Sequence, residues 1–159
     1  MKKEILLLGN PKLYEVSTPV EKSELPNLSL IIQDLHDTLI AFRNQYNAGR
    51  AIAAPQIGVQ KRILYMYIEE PTVFINPVLE PIGEEQMEVM DDCMSFPNLL
   101  VKVKRHQKCL IKYRDMEWNE RKIVLEGDLS ELLQHEYDHL DGILATMRAI
   151  DNRSFFIKQ

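Results

Sequence analysis

Apolar residues recur at helical spacing in two stretches of the chain and at a strand's spacing in several others. Between residues 29 and 46, Ile31, Ile32, Leu35, Leu39, Phe42 and Tyr46 form one stripe with the period of an amphipathic helix. Ser29 is placed to cap it, and Asn47-Ala48-Gly49 to end it. His36, within that stripe's helix, reads as a boundary residue rather than a ligand. The second helical stretch covers residues 128–142. Asp128 is a suitable N-cap, Glu131 completes a capping-box pattern, and Gly142 supplies a left-handed stop. Leu129, Leu132, Leu133, Tyr137 and Leu140 leave little of this helix polar, so it should lie buried in the middle of the fold.

Strand patterns lie between and before these helices. Residues 5–8 predict a short apolar strand ended by Gly9-Asn10-Pro11, and residues 12–27, with Pro19 and Pro26, a surface connection. Residues 62–68 and 72–76 are rich in strand formers, the second run closed by Pro77. Residues 87–90 lead into Asp91-Asp92-Cys93-Met94-Ser95-Phe96-Pro97. Residues 101–113 alternate polar and apolar, and a turn at 116–120 joins them to an antiparallel partner at 122–125. Strands first and a buried helix last predict an α+β fold. Antiparallel sheets would pack around that central helix, with one amphipathic N-terminal helix, as a single domain over residues 1–159.

Composition narrows the class. At 159 residues, 45% hydrophobic and 27% charged, the chain has the balance of a soluble globular domain. A net charge of -5 without a basic run argues against a nucleic-acid surface. Lys102, Lys104 and Arg105, alternating with Val101 and Val103, read as the wet face of a strand. No apolar run reaches the length of a membrane span, and the one after Met1-Lys2-Lys3-Glu4 is too short for a signal peptide. A cytoplasmic location follows, with Cys93 and Cys109 as reduced thiols rather than a disulfide.

The buried helix carries His135, Glu136 and His139. Two histidines at i and i+4 project from one face and can share a metal ion, with the glutamate beside them placed to take a proton from water activated by that ion. Burying these three polar groups unpartnered would cost several kcal/mol, which an ion relieves. A third ligand is needed. In one metalloprotease group a third histidine follows after an intervening glycine; Gly142 is present, but Ala145 stands in the ligand position. The ligand therefore comes from upstream, where Cys93, Cys109, His106, Asp91 and Asp92 are the candidates. Cys109 alternates as an inward-facing strand residue, whereas Cys93 precedes a turn. A Cys93 thiolate would complete a Cys-His-His site with one position open, suited to zinc or ferrous iron. The small-residue run at 49–58 surrounds the amide side chain of Gln56, which on composition alone reads as an exposed residue of a tight loop.

Taken together, these stretches resemble the peptide deformylase family over nearly the whole chain. Gly49-Arg50-Ala51-Ile52-Ala53-Ala54-Pro55-Gln56 is similar to the family's Gly-x-Gly-x-Ala-Ala-x-Gln. Asp91-Asp92-Cys93-Met94-Ser95 is similar to its Glu-Gly-Cys-Leu-Ser, and residues 134–140 match Gln-His-Glu-x-Asp-His-Leu throughout. The resemblance implies that Cys93, His135 and His139 hold one divalent ion, Fe(II) in the family, with Zn(II) or Ni(II) as alternatives. It implies Glu136 as proton carrier. The Gln56 amide and the Met94 N–H would face the oxyanion, a donor of that kind being worth about 2.7–4 kcal/mol. The substrate would be an N-formyl peptide or a small formyl amine.

Several positions depart from the family. Ala51 replaces a glycine that approaches the substrate, Asp91 and Asp92 replace Glu-Gly before the cysteine, and Leu100 stands where some members carry an arginine. Asp91 is expected to pair with Arg105. Arg50, Asp128 and Glu131, with Leu132 beside them, fall where the family binds a methionine side chain in an apolar pocket. The expectation is a formyl-removing hydrolase without the usual formyl-Met preference; the rival is that Asp128 and Glu131 only serve the helix end. Two other functions are weighed: a metallopeptidase or deacylase on another small acyl group, and a metal-binding regulatory paralogue without turnover, suggested by Asp92 beside the cysteine. Many bacterial members carry a longer C-terminal helix, which in some contacts the ribosome; its absence here argues against ribosome docking.

Overall fold

Helix α2 (Asp128–Leu140) lies between two antiparallel sheets and supplies core residues to the larger. The computed structural model describes residues 1–159. The larger sheet holds β1 (Ala51–Ala53), β2 (Ile63–Tyr67), β3 (Pro71–Pro81), β6 (Lys108–Arg114) and β7 (Glu120–Glu126), in the order β1-β2-β3-β6-β7. The smaller holds β4 (Gln86–Cys93), β5 (Phe96–His106) and β8 (Phe155–Ile157), in the order β4-β5-β8. No helix is long and apolar enough to cross a membrane.

Burial explains the layering. Leu35 and Leu39 of α1 (Leu25–Tyr46) pack with Ile52, Ile63 and Tyr65 on one face of the large sheet. On its other side, Leu133 and Leu140 of α2 meet Phe74, Cys109, Ile111 and Leu125. A third cluster joins Cys93, Phe96, Val101 and Val103 of the small sheet to Leu13 and Leu144. The expected α+β class, with a metal-binding helix among antiparallel sheets, is what the chain adopts.

Several elements differ from expectation for identifiable reasons. Helix α1 starts at Leu25 rather than near residue 29, with Pro26 in its first turn, where a missing N–H costs nothing. Asn47 ends it in the left-handed conformation, φ 55°. Residues 5–8 form no strand: Leu6 donates to the Gln56 carbonyl and Leu8 to that of Ser95, two isolated bonds to different partners. Pro77 does not close β3. A register shift between Ile75 and Val78 absorbs it, with Asn76 at φ 51° and its side chain bonded to both backbone groups of Val20.

The alternating run at 101–113 is two strands, not one. The chain leaves the small sheet at His106 and enters the large one at Lys108. The His106 backbone groups are taken up by α2: its N–H donates to Gln134 Oε1 at 2.9 Å, and its carbonyl accepts from Gln134 Nε2 and Ser130 Oγ, both at 2.8 Å. Polarity alternation continues across the junction, so periodicity alone hides it. Arg105 is buried, 3% exposed, and is no part of a wet strand face. Helix α2 itself is capped differently: Gly127, φ 60°, takes the N-cap place, Asp128 is the first helical residue, and no side chain caps the end.

Candidate metal centre

Cys93 stands at the end of β4, after a register shift between Asp91 and Cys93 that brings it opposite Phe96 at the turn into β5. From there its side chain meets the face of α2 that carries His135 and His139, whose ring centres lie 5.2 Å apart. One donor atom from each of the three residues lies within 4.8 Å of the others, and Cys93 Sγ is 3.4 Å from His139 Nε2. Bonds of roughly 2.3 Å to sulfur and 2.0–2.1 Å to nitrogen in a tetrahedral site place such atoms about 3.5 Å apart. The donor set therefore fits one divalent ion, without identifying it. All three residues are buried.

Burial pushes the His139 imidazole well below its ordinary range, helped by the neighbouring His135 charge, so it stays neutral. Burial acts on His135 in the same direction, but Asp91 and Cys93 outweigh it and hold that ring well above the ordinary value. The sulfur also accepts from the Ser95 N–H at 3.4 Å and lies 3.6 Å from Gln56 Nε2.

Gln56 is 1% exposed, which corrects the expectation of an exposed loop residue. It sits on a short 3-10 turn after β1, where Oε1 accepts from the Ala53 N–H at 3.0 Å and Nε2 donates to Ser95 Oγ at 3.1 Å. That pairing turns its NH2 toward the Cys93 sulfur. The N–H of Met94, in the β4–β5 turn, donates to no backbone acceptor. Glu136 is buried with Oε1 unpartnered, and burial raises its carboxyl to about 7.

Behind the ligands runs a chain of charges. Asp91 Oδ1 is 2.9 Å from His135 Nδ1, and Asp91 Oδ2 accepts from Arg105 Nη2 at 2.7 Å. Arg105 Nη1 donates to Asp138 Oδ2 at 2.8 Å, and Asp138 also accepts from Arg148 Nε and Nη2 at 2.6 and 3.0 Å. Burial pushes the Asp91 carboxyl up, but His135 and Arg105 together hold it below the ordinary value. The expected Asp91–Arg105 pair is present; Asp138 and Arg148 were missed. The available signal was Asp138 itself, a carboxylate inside a helix expected to be buried, which requires a cationic partner.

The other ligand candidates lie elsewhere. Cys109 is wholly buried, 3.3 Å from Ser130 Oγ, and is a free thiol like Cys93. His106 serves the strand junction. Asp92 is exposed, pairs with Lys158 Nζ at 3.1 Å and lines the cleft before the site without joining the ligand cluster. Leu100 pairs with Phe156 of β8, a strand too short and exposed to show in the sequence pattern.

A cleft of about 360 Å³ opens onto Cys93, His135 and Glu136. Gln56, Met94, Arg50, Ala51 and Leu132 also line it; Asp128 and Glu131 do not. Asp128 is exposed, whereas Glu131 is partly covered and lies 3.6 Å from Arg50 Nη2. A larger cavity of about 690 Å³ beside the β6–β7 hairpin contains none of these residues.

Residues 2–154 match the family described as polypeptide deformylase. Peptide deformylase 1 of Prochlorococcus marinus is 38% identical, the match covering 96% of this chain and 83% of that one. The crystal structure of peptide deformylase from Thermotoga maritima superposes with a TM-score of 0.86 at 30% identity, over 95% of this chain and 99% of the other. A class I type b peptide deformylase from Acinetobacter baumannii, crystallised with Met-Ala-Ser bound, gives 0.84 at 26% identity, over 93% and 98%.

Proposed function

Because the chain belongs to the polypeptide deformylase family, and is thus a deformylase-type hydrolase, we propose that it removes the formyl group from N-formyl peptides or small formyl amines. The observation that carries this reading is the convergence of Cys93, His135 and His139 beside the buried, unpartnered carboxyl of Glu136. One relative, the Acinetobacter baumannii peptide deformylase, was crystallised with the tripeptide Met-Ala-Ser bound.

In this proposal Cys93, His135 and His139 hold one divalent ion, taken to be Fe(II), with Zn(II) and Ni(II) suited to the same donors. When bound, such an ion acidifies a water and polarises the formyl oxygen. Glu136 accepts the water's proton as the oxygen adds to the formyl carbon. It then delivers a proton to the departing nitrogen as the C–N bond breaks, leaving formate and a free amine. Burial favours the protonated form of this carboxyl, which sits at about 7 with no ion beside it, so it keeps a proton more readily than an exposed glutamate. The Gln56 NH2, oriented by Ala53 and Ser95, and the Met94 N–H are the donors for the oxyanion. Asp91, in contact with Nδ1 of His135, would orient the ring and leave Nε2 for the ion. Arg50, Ala51 and Leu132 lie where the substrate's first residue would sit, with Glu131 behind Arg50, and the charge there favours substrates other than formyl-Met.

The test is formate release from formyl peptides by anaerobically purified, metal-analysed protein. Glu136→Ala is expected to keep the metal and lose turnover by a factor of roughly 10² or more. Unchanged turnover would refute the role of Glu136, and no formate from any formyl substrate would refute the function.

A further inference from the structure

We propose that Arg50 reads a carboxylate on the group next to the formylated amine, so that acidic N-formyl substrates are preferred. This rests on the deformylase reading of the site. Arg50 lies between α1 and β1, is 42% exposed at its side chain, and lines the same cleft as His135 and Glu136. Its ionic partner is Glu131, at 3.6 Å, longer than a direct hydrogen bond. Glu131 stands one turn before His135 on the same face of α2, so it meets Arg50 from behind the cleft, on the helix of the metal ligands.

Glu131 does not line the cleft, and Arg50 does. An entering side chain therefore meets a guanidinium, which has five N–H donors, none of them in a close bond. A carboxylate is the group whose two oxygens match that fork. Phe42, Tyr46 and Leu132 offer apolar wall to the stem of such a side chain. The other cation on the cleft, Lys158, is paired at 3.1 Å with Asp92, which also lines the cleft, so Arg50 is the cleft cation without a close anion. A methionine placed there would strip water from the guanidinium without replacing it. A lysine would meet the like charge of Arg50.

The experiment compares formyl-Glu-Ala-Ser, formyl-Met-Ala-Ser and formyl-Lys-Ala-Ser as substrates. In parallel, calorimetry follows binding of the three unformylated tripeptides to the metal-loaded protein. Glu is expected to exceed Lys by about tenfold or more in kcat/KM and in affinity, with Met between them. Arg50→Met should abolish the Glu advantage and raise Met. Glu131→Gln, which removes the competing carboxylate, should enlarge the Glu advantage. Lys favoured in the wild type and lost in Glu131→Gln would overturn the proposal, because Glu131 would then be the reader. A Met preference that Arg50→Met leaves unchanged would also overturn it. Glu-selective binding without formate release would leave the role of Arg50 standing and defeat the deformylase reading instead.

Discussion

Asp91 Oδ1 lies 2.9 Å from Nδ1 of His135, so a carboxylate outside the ligand set is in charge contact with a ring that belongs to it. Asp91→Asn keeps the size and removes the charge. Metal affinity, measured by competition with a chelator, should fall by about 10–100-fold, the range for a lost partner of a ligating histidine. Unchanged affinity would show that Asp91 serves only Arg105.

Asp138 is the other anion of the buried Arg105, and also the partner of Arg148, whose side chain is 44% exposed. Asp138→Ala leaves a buried guanidinium under-compensated and should cost about 3–5 kcal/mol in urea unfolding. Arg148→Ala, removing a charge already partly in water, should cost less than about 1 kcal/mol. Similar losses from both would contradict this ranking.

Gln134→Ala should cost about 1–3 kcal/mol by leaving the His106 N–H without an acceptor. Ser130 still serves the His106 carbonyl, so Ser130→Ala should be the milder change. Hydrogen exchange of the His106 amide gives a direct readout.

In the metal-free protein, burial raises the Glu136 carboxyl from an ordinary 4.5 to about 7. Between those values the native state holds a proton that the unfolded state releases, so this group's contribution to stability falls as pH rises through the window. Glu136→Gln should therefore be more stable than the wild type at pH 8, on the order of 3 kcal/mol, with the gain shrinking toward pH 4.5. A gain independent of pH would exclude titration of Glu136 as its source.

The sequence made α2 and its two histidines legible because helical period and ligand spacing are both local properties. Cys93 was legible by its setting before a turn, and the Asp91–Arg105 pair through the family pattern. The β5–β6 break was hidden, because what ends β5 is a pair of bonds from Gln134, far away in sequence. Pro77 misled for a similar reason: Asn76 and its bonds to Val20 turn a strand stop into a bulge. Asp128 and Glu131 have the capping-box pattern, yet Gly127 provides the helix start through its backbone alone.

The junction at Gln107 also sets where the chain can change length. Residue 105 must face inward to reach Asp91 and Asp138, and residue 106 must meet Gln134, immediately before the first histidine. Deleting one residue from β5 would invert that alternation and pull both anchors out of step together. The turn after β6 is hydrogen-bonded through Asp115 and packs Met116 and Trp118 against the α1 cluster, but none of its hydrogen bonds reaches the metal ligands or their partners. Insertions are thus absorbed at that hairpin and rejected at the crossover between the sheets.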